Sequence, residues 1–393
     1  MAKKLYENND IKIADEMEAI KFFNDICKED VWQRCRTKEL VAVPIENHPL
    51  FFEDKRTEYG IPQEVSIDSI AECAESYQIG VKVPFDTGYK CYPIGDTAFS
   101  LLLERAGFQK ATALSCLKEK GTQSVMPCTH TAQIINMGFE VFKNKVLVLI
   151  RDEKVRAVLS GDESDYSILP FDKLLSIFID SLMGQFADVN FVSATACHEY
   201  FSVLYSMKDK TVEESIEKVF ASAGRTFNNI KIEARLASSD VGMSGAKIYP
   251  FLKLDNNLRI IGNPLSVTHK NGKTLKDFKD NCGKVFSMFK DIERQLEVMK
   301  DKKLKSPQGA FLRVAKEIGL PKKLAHEQAS DFEALFAKPS QLDLYWALYE
   351  ALDAYKVARK MDLSFTQMLT FEEGICRTLF GDIEKYDMPF TWE

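Results

Sequence analysis

The sequence predicts an α+β fold: a mainly antiparallel sheet covered by helices, with a helical C-terminal portion. Three observations point there. Val146–Ile150 is an unbroken, β-branched apolar run too short for a typical helix, the signature of a strand buried on both faces. Val155, Ala157 and Leu159 alternate with Arg156, Val158 and Ser160, which reads as a second strand with one wetter face. From Thr274 onward the apolar residues recur at threes and fours, the period of amphipathic helices.

The first two observations make a hairpin, with Arg151-Asp152-Glu153-Lys154 as a turn of about four residues. Beyond the acidic loop Gly161–Tyr166, Pro170 suits the first turn of a helix, where its missing N–H would be unpaired in any case. That helix runs to about Phe186, with Leu174, Leu175, Phe178, Ile179 and Leu182 on one face. A strand pair with a covering helix is the nucleus of an α+β domain.

Upstream, residues 1–84 read as a helical arm with short strands. Asp15 caps a helix carrying Met17, Ile20 and Phe23, and residues 1 to about 40 read as helical throughout. Leu40–Ile45 is a strand candidate, His48–Phe52 a loop with apolar anchors, Ser66–Tyr77 a helix and Gly80–Pro84 a strand. Residues 85–272 form the α+β core. In it Asp96 opens a helix that Gly107 closes, and helices follow over Ala111–Lys120 and Thr129–Phe142. Asn190–Ala196 begins a strand that extends through Tyr205, and Val212–Gly224 is a helix. Ile230–Ala237 is a strand with Lys231, Glu233 and Arg235 on a solvent face; Ala246–Leu254, with Pro250 marking an edge or bulge, pairs back through Leu258–Ile261. Residues 273–393 are helical: 274–305 as one long helix, then 307–318, 321–337, 339–360 and 364–380.

The 393 residues carry a formal net charge of −6, with 45% hydrophobic and 28% charged residues, as in a core-forming globular chain. No apolar run approaches the roughly 20 residues that span a bilayer, and the start has no secretory apolar region, so the expected location is cytoplasmic, with no membrane partner. Nine widely spaced cysteines without CxxC suit reduced thiols.

Catalytic patterns are scarce. GxxxxGK[ST] and GxGxxG are absent, and Gly242-Met243-Ser244-Gly245 lacks the full nucleophile elbow. In an extended strand Cys197 and Glu199 project opposite to His198, which rules against a dyad there. No metal or organic cofactor is assigned. Asp162, Glu163 and Asp165 are hard oxygen donors for a divalent cation, the basis of one alternative, a metal-dependent enzyme.

The cations are more suggestive. Lys143, Lys145, Arg151, Lys154 and Arg156 belong to the central hairpin; Arg225, Lys231, Arg235 and Lys247 belong to the later strand pair. Meeting on one face they would match a phosphate backbone, with Tyr249 placed to stack on a base, despite the acidic total.

The order of YPIGDTAFSLLLERAG, LVLIRDEKVRAVLSGDESDYSILPFDKLL and LASSDVGMSGAKIYPFL resembles a phage/plasmid-like protein family of unknown function found on prophages, plasmids and conjugative transposons. The features shared are Asp96, Val155–Ser160, Ser239-Asp240-Val241-Gly242 and Pro250-Phe251-Leu252, over roughly residues 85–255. The family often continues into a cysteine-containing strand; here Lys253-Leu254-Asp255 follows. The resemblance implies a mobile-element setting and supplies no catalytic residue. The functional expectation is a non-catalytic protein associated with single-stranded DNA, binding or annealing it in recombination or repair, in a form that allows a homo-oligomer. The other alternative is a factor that binds a host or phage protein through an acidic surface and so counters host defence.

Overall fold

The protein is described by a computed structural model covering residues 5, 10–45, 56–108, 128–162, 164–255, 257–260, 262–335, 338–359 and 363–392. The expected loop 48–52 and helix 111–120 lie outside these residues.

The fold is α+β. The chain begins with β1 (Ile11–Ile13), α1 (Glu16–Glu29), β2 (Val31–Arg36) and β3 (Val41–Pro44). Asp15 caps α1 as its sequence suggests, its carboxylate accepting from the Glu18 N–H. Of residues 1 to about 40, expected to be helical, the described ones hold one helix of three turns or more between strands; residues 31–36 are extended, and Trp32 and Cys35 pack on opposite faces of their sheet. Next come α2 (Ile67–Glu75), β4 (Ile79–Phe85), β5 (Gly88–Pro93), α3 (Asp96–Arg105) and α4 (Cys128–Val141). Gly95, not Asp96, is the N-cap of α3.

The hairpin follows as β6 (Lys145–Arg151) and β7 (Lys154–Ser160). Its turn is two residues, Asp152 and Glu153, with φ of 50° and 66°, tighter than the expected four. Then come α5 (Phe171–Gln185), β8 (Val189–Ala196), β9 (Phe201–Met207), α6 (Lys210–Ser222), β10 (Ile230–Ser238), β11 (Ala246–Leu254), β12 (Asn257–Ile260) and β13 (Leu265–Val267). The single strand expected over 190–205 is a hairpin, closed where the Cys197 N–H donates to the Tyr200 carbonyl. The C-terminal helices are α7 (Leu275–Cys282), α8 (Val285–Asp301), α9 (Pro307–Ile318), α10 (Lys322–Leu335), α11 (Gln341–Arg359) and α12 (Phe365–Leu379). The expected 274–305 helix breaks at Gly283, the C-cap of α7.

Among the described residues the strands form three antiparallel sheets. The largest runs β1-β8-β9-β10-β11-β12, with β13 also on β11. β13 holds Ala246–Ile248 and β12 holds Phe251–Leu254, so Pro250, which has no N–H to donate, sits in the gap between them. The face of Ile232, Ala234 and Leu236 is buried beneath α5, α6 and α8. The opposite face carries Leu204, Ala237, Tyr249 and Phe251, and α12 covers it through Leu369 and Cys376.

The smaller sheets, β2-β6-β7 and β3-β4-β5, share a second core with α2, α3 and α4. Gly138 on α4 lies directly against the Ala106 carbonyl at the end of α3. These cores cut across the boundaries expected at 84/85 and 272/273. β1 joins the large sheet, α1 packs into its core through Ala19 and Phe23, and the helices after 273 continue the same apolar core.

Candidate nucleic-acid interface

The cations expected on one face divide between two sheets: Lys145, Arg151, Lys154 and Arg156 on β2-β6-β7, Lys231, Arg235 and Lys247 on the large sheet. Most of them are consumed internally.

At the hairpin turn Arg151 and Lys154 are buried, Asp152 and Glu153 are half-buried, and all four charges are engaged. Arg151 bonds both Asp30 oxygens (2.6 and 2.5 Å) and Asp240 (2.7 Å), with the Phe201 ring beneath it at 4.6 Å. The Lys154 ammonium is paired with Glu72. Arg156 donates to the Leu5 carbonyl (2.6 Å) and faces Asp152 at 3.5 Å; at 1% exposure it is inside the protein, so the wetter face expected of β7 is absent. Glu153 accepts from the Ser66 N–H and hydroxyl (2.7 and 2.6 Å) and the Ser69 hydroxyl (2.9 Å), capping α2.

The second group is covered by helices. Arg225 pairs with Asp343 (3.4 Å) and lies over the Trp346 ring. Arg235 lies between the Phe251 ring and Glu372 (4.4 and 3.8 Å), and burial lowers its pKa. Lys247 and the Tyr249 hydroxyl both donate to Glu373, so Tyr249, 1% exposed, stacks on no base. The expected solvent face of β10 is closed because α12 brings Glu372 and Glu373 onto it; Glu233 is buried there too, which raises its carboxyl pKa. Lys231 stays exposed opposite Lys253, in the other sheet from the hairpin.

Lys143 and Lys145 remain exposed, and beside them the structure assembles a site that the sequence pattern did not predict. Arg36 on β2 lies directly opposite Lys145 on β6 in the antiparallel register, and Arg34 lies opposite Leu147. Period-two alternation puts Trp32, Arg34 and Arg36 on one strand face, about 7 Å apart in succession. The Thr37 N–H donates to the Asn144 carbonyl (2.9 Å), which extends the β2–β6 pairing by one residue. Three cations, Arg34, Arg36 and Lys145, therefore line one rim.

The rim borders an open groove of about 670 Å³, lined by Arg34, Arg36, Glu39, Lys145, Asp162 and Ser164 among others. Arg34 is braced by donating to the Gly161 carbonyl (2.5 Å). Glu39 is turned onto the Arg36 backbone N–H (2.7 Å), and Asp162 makes a loose, exposed contact with Lys145 (3.4 Å). At the end of the row Trp32 is half-buried against Tyr166, at 6.1 Å between ring centroids. Tyr166 in turn stacks on His269 (5.0 Å, 3°) and donates to the Asp240 carbonyl (3.0 Å). The Cys35 thiol at the groove is pushed up to about 12 by burial, with Glu39 adding to the shift, so it is no nucleophile at neutral pH.

The acidic loop is tied down rather than open. Asp165 accepts from Ser160, and the loop backbone is held by residues 269–271. Glu163 lies outside the described residues, and among the described residues no three metal-ligating side chains converge. No helix among the described residues is long and apolar enough to cross a membrane.

The signal for the groove lies in VWQRCR, which alternates an aromatic and two arginines on one face; a helical reading of residues 1–40 conceals it. Comparison with family models, with curated proteins and with solved structures gives no match, so the site stands on its own geometry.

Proposed function

We propose that this protein associates non-catalytically with single-stranded DNA along the β2–β6 rim. One observation carries the reading: Arg34 and Arg36 form a row with Lys145 opposite, and the row ends on a half-buried tryptophan. Cations along a groove neutralise successive phosphates and release counterions, while an aromatic platform accepts an unstacked base of any sequence. Arg34 and Arg36 are both exposed on β2, an edge strand among the described residues. A duplex offers no unstacked base to Trp32, which favours single strands. The mobile-element setting implied by the resemblance fits this role, because entry, recombination and repair all expose single strands.

The test is fluorescence anisotropy of a labelled oligothymidylate at several salt concentrations, with wild-type protein and the Arg34→Ala/Arg36→Ala double variant. Binding should weaken with salt. Each phosphate neutralised on a single strand adds about 0.7 to the slope of log K against log salt, so the double variant should lower that slope by about 1.4. Salt-insensitive binding, or an unchanged slope in a folded double variant, would overturn the reading.

A further inference from the structure

Far along the chain from the rim, a second recess lies between α11 and the β11–β12 hairpin, with a volume of about 170 Å³. Its floor is Leu254 and Tyr349, both 1% exposed. Phe227 and Trp346 form a tilted aromatic wall, with ring centroids 5.5 Å apart. Trp346, Glu350 and Asp353 project from one face of α11, at the spacing of successive helical turns.

The charges in this recess are not equivalent. Arg259 is paired with Asp353 and lies over the Tyr349 ring at 4.6 Å, so its charge is already used. Lys356 also approaches Asp353, at 3.4 Å. Glu350 is exposed at the mouth and has no ion pair among the described residues. Asp353 is thus neutralised by Arg259 and Lys356, and the Arg225 guanidinium, itself paired with Asp343, already lies over the Trp346 ring at 5.0 Å; Glu350 is the lining charge that has no ion pair among the described residues.

We propose that this recess binds a small organic cation with a flat body. The ring would pack on Trp346 and Phe227, and the cationic head would meet Glu350. Aromatic faces attract cations, and a carboxylate accepts charge-assisted hydrogen bonds from an amidine or guanidine. The carboxylate at the mouth disfavours anionic ligands such as phosphates. The volume is below the 300–1,000 Å³ of sites for drug-sized ligands, which limits the occupant to about one ring and its head group.

The same chemistry is presented by a free aryl amidine and by an arginine side chain of a partner. The test titrates full-length protein with benzamidine and with acetyl-arginine amide, followed by tryptophan fluorescence and ligand-observed NMR. Neutral benzamide is the control. Saturable binding of either cation at millimolar concentration or tighter, with benzamide about fivefold weaker or more, is the expected result. Tighter binding of benzamidine identifies a free small molecule; tighter binding of the arginine amide identifies a protein side chain. Glu350→Gln, at an exposed position, should weaken the cation about fivefold while leaving the melting temperature unchanged. Equal binding of benzamide, no effect of Glu350→Gln, or no saturable binding of either cation overturns the proposal.

Discussion

Arg151 and Asp240 meet at 2.7 Å although 89 residues separate them in the chain, and their side chains are only 5% and 4% exposed. Asp30 completes the cluster, so a single guanidinium joins the small sheet, the α1–β2 turn and the end of β10. Burial raises the Asp30 carboxyl pKa, and Arg151 opposes that shift without cancelling it.

Removing the guanidinium leaves two buried carboxylates with no counter-charge. Arg151→Met should destabilise the protein by about 3–5 kcal/mol in urea unfolding. The triple replacement Asp30→Leu/Arg151→Met/Asp240→Leu should recover much of that loss, since an apolar substitute of similar volume for a whole buried ion cluster is often close to neutral.

The pH dependence of stability follows from the buried carboxyls. Burial raises the pKa values of Asp30, Glu233 and Glu372 above the ordinary 3.8 and 4.5. Between the ordinary and the raised values the native chain holds protons that the unfolded chain has released, so these groups favour the native state as pH falls through that window. Their contribution is complete below the ordinary values. Asp277 works the other way: backbone and side-chain hydrogen bonds from Thr274, with one from Lys273, lower its pKa to about 2. Its contribution is present above 3.8 and is lost as pH falls toward 2. The melting temperature should therefore hold or rise as pH falls from neutrality toward 4.5, the ordinary glutamate value, and Asp30→Asn should flatten that response.

Trp32 is assigned the base-stacking role. Trp32→Leu keeps apolar cover on Tyr166 while removing the ring, and should weaken oligothymidylate binding by about 1–3 kcal/mol. Oligonucleotide should also quench tryptophan fluorescence in the wild type and in Trp346→Phe, but not in Trp32→Leu.

Gly138 is fixed by close approach rather than by backbone conformation. A Cβ there would lie 2.2 Å from the Ala106 carbonyl oxygen and 2.7 Å from the Ala106 Cβ. Gly138→Ala should force α3 and α4 apart and destabilise the protein by about 1–3 kcal/mol, measured by urea unfolding.

Much of the architecture is legible in local pattern. The capping hydroxyls and carboxylates of Asp15, Ser66 and Thr274, the apolar run Val146–Ile150 and the 3.6-period faces of α8 and α9 each declare themselves within a few residues. The fate of the charges is not. Lys154 finds Glu72 from 82 residues away and Arg151 finds Asp30 from 121, and nothing near Arg-Asp-Glu-Lys shows that carboxylates will arrive to bury it. The solvent face expected of β10 fails for the same reason, because α12 returns from the far end of the sequence to cover it. The groove is hidden differently. The strong helix signal of α1 runs straight into β2, and extending it past Asp30 masks the alternation that aligns the two arginines.

The large sheet ends on β1, three residues in register with Ala194–Ala196 of β8. Ile13 is buried, and the Asp10 carboxylate accepts from the Phe365 N–H at the start of α12, so this short strand is fastened from both sides. Excising residues 10–14 would strip the cover from Ala194–Ala196, the last three of the eight residues of β8, and leave their backbone donors and acceptors free to recruit another chain. A shortened form should then self-associate through β8, and its light scattering should grow with concentration while its helical content stays the same.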